Sequence, residues 1–157
     1  MNGLRPHDLK IVLVHPQIAP NTGNIARLCV TTGTALHLIR PLGFLLSDKQ
    51  LKRSAMDYWP RLKLTVHDDL ESFLLSFTGG RLWLCENERG RSMWDAKIEN
   101  GDALLLGSEG PGLPQSLIDA HLDNVIHIPQ VAGERCLNVA TAAGIVLFEG
   151  LRQIGRS

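Results

Sequence analysis

Six short apolar runs, each closed by a proline, a glycine or a polar turn, alternate with segments of helical spacing along this chain. The runs occupy 10–15, 35–40, 63–66, 81–85, 103–106 and 125–128. Helical segments are expected from the Asn- and Gly-rich turn at 21–24, over 68–77, from Pro114 to Leu122, and from Leu137 to Ile154. Parallel neighbours need a crossover of a dozen residues or more, usually a helix, so this alternation predicts an α/β domain with a mostly parallel sheet. No repeat, linker or composition shift divides the chain, and its 157 residues suit one domain spanning 1–157.

The last helical segment is the most apolar. Leu137, Ala140, Gly144, Leu147, Leu151 and Ile154 are spaced 3, 4, 3, 4, 3, while Val139, Ala142, Ala143 and Val146 form a second stripe. A helix apolar on so much of its circumference is buried inside a domain or between subunits. The loop before it differs in kind, because Gly133, Glu134, Arg135, Cys136 and Asn138 bring polar chemistry to the helix entrance.

With 44% hydrophobic and 20% charged residues the chain has the composition of a soluble globular protein. No apolar run approaches the ~20 residues of a membrane helix, and MNGLRPHDLK lacks the apolar centre of a secretory leader. Cys29, Cys85 and Cys136 show no metal or disulfide spacing, and each is expected as a small core residue of a cytosolic protein. The six histidines show no ligand spacing, so no metal is expected.

The formal charge is zero, but residues 1–60 carry seven Lys/Arg against three Asp/Glu. Lys49, Lys52 and Arg53 lie close to Tyr58 and Trp59. Basic groups beside aromatics suit an RNA surface. A short amphipathic helix capped by Ser47 or Asp48, with Leu51 and Met56 inward, accounts for the spacing equally well. In the first helix Ile25, Leu28, Cys29 and Thr32 share a face, with Asn21, Thr22 or Asn24 as the expected cap. At about 100° per residue Arg27 falls roughly opposite Ile25, facing solvent, a partner or a substrate.

Ligands of parallel α/β sheets bind beyond the carboxyl ends of the strands. Three such ends are unusual here: Cys85-Glu86-Asn87, GSEGPG at 107–112, and Ile128-Pro129 with its loop. No GxxxxGK[ST] and no GxGxxG is present, and GSEGPG has Leu106 where a nucleophile elbow needs glycine. The residues alone therefore point to an α/β enzyme with a backbone-lined pocket.

NTGNIAR (21–27), GSEGPG (107–112) and IP…CLNVA (128–140) resemble, in order and spacing, the three motifs of the SPOUT methyltransferases. LHLIRPLGF and SDKQLKRSAMDYW are similar to the bacterial tRNA 2′-O-methyltransferases that modify the wobble nucleotide. The resemblance implies a C-terminal deep trefoil knot, a homodimer, and S-adenosylmethionine bound by Cys85, Gly107, Ile128, Cys136 and Leu137. It further implies a tRNA anticodon stem-loop as partner, with Arg27, Asn21, Glu109 and Asn138 around the reacting 2′-hydroxyl and Lys49, Lys52 and Arg53 on the RNA. Two departures stand out: Cys136 replaces the usual serine, and the arginine-serine pair before the asparagine is missing, although Arg135 remains. An arginine stays protonated below about pH 12, so Arg27 is read as polarising the 2′-oxygen and gripping phosphate, not as a base. Other readings of the same chain are methylation of another tRNA or rRNA nucleotide, a small-molecule enzyme on a flavodoxin-like sheet, or a catalytically silent RNA-binding module.

Overall fold

Seven strands, all paired in parallel, form one sheet in the computed structural model. The structure describes residues 3–155 apart from positions 48, 50, 52, 54 and 55. In chain order the elements are β1 (Lys10–Val14), α1 (Ala19–Thr32), β2 (Ala35–Ile39), β3 (Leu64–His67) and α2 (Leu70–Ser76). There follow β4 (Leu82–Glu86), β5 (Arg91–Ser92), β6 (Ala103–Leu106), α3 (Gln115–Ala120), β7 (Val125–His127) and α4 (Val139–Gly155). The strand order is β3-β2-β1-β6-β4-β7-β5.

Strand side chains alternate between two apolar layers. Leu9, Ile11 and Leu13 point into a core shared with α1 and α4, while Val12 and Val14 point into one built with Phe73 of α2 and Leu117 and Ile118 of α3. Cover on both faces is why the strands read as continuous apolar runs and not as alternating ones. Among the described residues no helix is long and apolar enough to cross a membrane.

Three local expectations are corrected. The stretch between 86 and 102, which reads from sequence as a polar connection with little periodicity, contains β5, which pairs with β7 through Arg91 and Ser92. Two polar residues carry no period, so sequence could not signal a strand there. Helix α1 begins at Ala19 with Ile18 as its cap residue, and Asn21, Thr22 and Asn24 lie inside the helix. In α4 the buried face is Ala143, Val146, Leu147 and Leu151, drawn from both expected stripes, together with Gly150 from neither, and Leu137 precedes the helix. Leu51 is buried as expected, whereas Asp48, Lys52 and the Met56 side chain lie outside what is described.

A buried polar anchor closes the amino-terminal edge of β4 and β6. Asp102 is 1% exposed. Its carboxylate accepts from Trp83 Nε1 (2.8 Å), Arg81 N (2.7 Å) and Glu99 N (2.9 Å), and its carbonyl accepts from Lys10 N at 3.1 Å.

His37 of β2 and His67 of β3 stack with centroids 5.2 Å apart, and His37 Nδ1 lies 2.9 Å from His67 Nε2. Phe73 meets both rings edge-on. Burial, followed by the charges of His67 and Lys10, pushes His37 down to about 4, and burial lowers His67. A histidine depressed in the fold stabilises it fully above the unfolded value near 6.5 and progressively less as pH falls towards the folded value. The melting temperature is therefore expected to fall from pH 7 to about pH 4 more steeply in the parent than in a His37→Leu variant. Equal slopes in thermal scans would show that the pair contributes nothing.

Candidate active site

Strands β6, β4 and β7 are neighbours, with Leu106, Cys85 and Ile126 in register. The three unusual sequences that follow them therefore emerge side by side at the carboxyl edge. They border a cleft of about 790 Å³, a size typical of small-molecule sites. Cys85, Gly107, Ile128, Cys136 and Leu137 all line it, as do Asn21, Glu109 and Asn138.

Backbone dominates the central wall. A Cβ at Gly107 would lie 2.2 Å from the carbonyl carbon of Gly112 and 2.3 Å from Leu113 N, so only glycine lets the chain fold back on itself there. Ser108 and Gly112 form an antiparallel bridge across the same turn, with Gly112 at φ 76.

Glu109 reaches from this turn to the entrance of α1. Its carboxylate accepts from Gln17 N (2.8 Å), Ile18 N (3.2 Å) and Asn21 Nδ2 (3.3 Å). Helix entrances expose unpaired N–H groups, and a carboxylate there also meets the positive end of the helix dipole. Glu109 thus supplies from a distant loop what no local side chain supplies, which explains why the cap expected at 21–24 is absent.

Asn138 continues the chain of contacts. Its Nδ2 donates to Asn21 Oδ1 at 3.0 Å, while its Oδ1 accepts from Ala140 N at 2.8 Å and Thr141 N at 3.4 Å. It is therefore the N-cap of α4. Asn21 bridges Glu109 and Asn138, tying three loops into one wall.

The cysteines divide. Cys29 is buried in the core as expected, Cys85 is half-buried in the cleft wall, and Cys136 is exposed on the cleft loop, contrary to the expectation of a core residue. The polar loop, not an apolar neighbour, fixes its place. Burial, together with the charge of Glu86, pushes the Cys85 thiol up to about 12, so it is neutral and not a nucleophile. Glu86, Glu88, Glu109 and Glu134 line the cleft, with Arg135 the one basic residue in its lining among the described residues, which favours a ligand bearing positive charge. Among the described residues no three His, Cys, Asp or Glu side chains gather as a metal site.

Arg27 is exposed on α1, as its phase predicts, but it does not line the cleft. It lies six residues beyond Asn21, roughly 9 Å along the helix axis. Its guanidinium sits 5.3 Å from the centroid of the Tyr58 ring, and that of Arg61 sits 5.1 Å from the same ring. Lys49 and Arg53 are helical and exposed, whereas Lys52 lies outside the described residues. Sequence reasoning overlooked Arg61, whose only signal is its position three residues after Tyr58 in a 3-10 turn, Met56–Arg61.

The same fold and much of the same sequence occur in known proteins. A protein of Synechocystis is 46% identical over 149 residues, covering 93% of this chain and 97% of that one. The tRNA (cytidine(34)-2′-O)-methyltransferase of Escherichia coli K12 is 40% identical, covering 94% of each chain. A solved structure described as giving structural insights into the 2-OH methylation of C/U34 on tRNA superposes with a TM-score of 0.92. It is 40% identical and covers 98% of this chain and 100% of that one. Residues 8–148 match the SpoU rRNA methylase family, so almost the whole sheet and its cleft fall within the match, and the chain belongs to that family.

Proposed function

We propose that the chain transfers a methyl group from S-adenosylmethionine to the ribose 2′-oxygen of the wobble nucleotide, position 34, in the anticodon stem-loop of tRNA. The observation that carries this reading is the cleft at the ends of β4, β6 and β7, walled by backbone and by the linked Glu109, Asn21 and Asn138. Close relatives that bear the tRNA (cytidine(34)-2′-O)-methyltransferase name across nearly their full length supply the substrate class.

The residues present fit the cofactor. Gly107 leaves its wall open to close approach, Leu106, Ile128 and Leu137 offer apolar contact, and the surrounding glutamates complement a sulfonium and an ammonium group. When bound, S-adenosylmethionine supplies an electrophilic methyl on positively charged sulfur. A 2′-oxygen brought in line would take that methyl, the C–S electron pair would remain on sulfur, and the hydroxyl proton would pass to solvent. In this reading Arg27, outside the cleft, meets the RNA side of the reaction while the loops hold the cofactor. Its N–H groups polarise the 2′-oxygen and stabilise negative charge developing there. Lys49, Lys52 and Arg53 attract the phosphate backbone. One domain carries both sites, in the cytoplasm with its substrate, on a knotted C-terminal crossing.

Purified protein, labelled S-adenosylmethionine and bulk tRNA lacking the modification test the reading. Label is expected on the 2′-oxygen of nucleotide 34, with or without a chelator. Label on a base would refute the reaction type, and cofactor binding without transfer would mark a silent RNA-binding module.

The active form is a homodimer in this reading. Residues 131–138 are exposed without interruption around the cleft, and Ile18 (46% exposed), Leu137 and Phe148 (51%) add apolar surface at the same end and along α4. A stable interface there should bury upward of ~1,000 Å² in total. Sedimentation at micromolar concentration is expected to give a dimer that Phe148→Asp dissociates; a monomeric parent would end this part of the reading.

A further inference from the structure

We propose that Tyr58 is a positioning residue that holds Arg27 for the reaction, an inference that rests on the catalytic role given to Arg27 above. Arg27 is exposed and makes no ion pair among the described residues. A long side chain in that situation spreads over many rotamers, and order must be imposed before its charge can act at a fixed point. The Tyr58 ring supplies that order, with the guanidinium carbon 5.3 Å from its centroid.

The choice of an aromatic ring has a chemical reason. A carboxylate would hold the guanidinium through its N–H edge, cancelling the charge and occupying the donors that the 2′-oxygen and phosphate require. A ring face holds the cation while leaving its edge free.

Arg61 explains why the ring itself stays in place. Tyr58 and Arg61 are three residues apart in the 3-10 turn, where side chains at that spacing eclipse. Arg61 therefore packs on the ring from within the turn, at 5.1 Å, while Arg27 reaches the ring from α1. Arg61 also makes no ion pair among the described residues, so the stack presents two unneutralised guanidinium groups to an anionic substrate.

Single-turnover methylation at saturating tRNA and cofactor, with Tyr58→Phe, Tyr58→Ala, Arg27→Ala and the Tyr58→Ala/Arg27→Ala double variant, tests the proposal. Tyr58→Ala is expected to lower the rate roughly 2- to 30-fold, the size of one cation–π contact, with cofactor affinity unchanged. Tyr58→Phe keeps the ring and is expected to restore most of the rate. The double variant should be no slower than Arg27→Ala alone, because Tyr58 acts through Arg27. Losses that multiply in the double variant, or a Tyr58→Phe as slow as Tyr58→Ala, overturn the proposal and leave the role of Arg27 standing. An Arg27→Ala enzyme with normal turnover overturns both. Thermal midpoints of the folded variants are measured alongside, and Tyr58→Phe separates loss of the ring from loss of the fold.

Discussion

Arg27→Ala is expected to slow methyl transfer on the order of 10²-fold or more at saturating tRNA, the loss typical of one electrostatic stabiliser. Stability should change by no more than roughly 0.5 kcal/mol, because the side chain is exposed and opposite the buried face of α1. Cofactor affinity, read by calorimetry, should hold, since Arg27 does not line the cleft. Arg27→Lys sharpens the result: lysine keeps the charge but loses the planar fork. Rescue by lysine would point to simple phosphate attraction, and no rescue to geometry at the 2′-oxygen. Lys49→Ala and Arg53→Ala provide the contrast, with weaker and less salt-dependent tRNA binding but near-normal turnover at saturation. An Arg27→Ala enzyme that behaves like those two would exclude its part in the chemical step.

Asp102→Ala should produce the largest loss of stability. The substitution strands the buried Trp83 indole N–H and takes the acceptor from the part-buried backbone N–H groups of Arg81 and Glu99. A buried donor left unpaired costs ~1–3 kcal/mol and the two part-buried ones cost less each, so a total of about 3 kcal/mol follows. For a domain of this size that is a melting temperature lower by roughly 6–12 °C. Asp102→Asn should recover part of the loss, since it retains one acceptor while placing an amide donor against another N–H. Thermal or urea unfolding reads both variants. An Asp102→Ala protein within 1 °C of the parent would mean that water replaces the carboxylate.

Contacts between neighbours in sequence were readable, and contacts between distant loops were not. β6 runs over Ala103–Leu106, as its apolar run indicates, and the other five expected strands lie within a residue or two of their predicted positions. Burial on both faces made those runs unbroken. Helix α2 is capped by Asp69, whose side chain accepts from Ser72 N, a local bond that local sequence reveals. The cap of α1 was illegible because its carboxylate belongs to Glu109, some ninety positions away. Leu137 kept the phase of the α4 stripe while standing outside the helix, since an apolar period continues past an N-cap without marking it. The cleft residues could be named from motif resemblance, but their hydrogen bonding through Asn21 could not. Arg27 was legible as an exposed residue. Its separation from the cleft and its seat on Tyr58 arise from the packing of α1 against the 3-10 turn, which no spacing rule encodes.

The hydrogen-bonded line from Glu109 through Asn21 to Asn138 also bears on how two ligands sense one another. One end belongs to the turn that lines the cleft, the other caps α4, and the middle lies on the helix that carries Arg27. A ligand that stiffens either end leaves less freedom for the other to lose. With cofactor and RNA at its two ends as proposed, calorimetry is expected to show each binding more tightly in the presence of the other, and equal affinities would show that the line carries no coupling. Linkage makes the benefit mutual: the factor by which cofactor tightens RNA equals the factor by which RNA tightens cofactor.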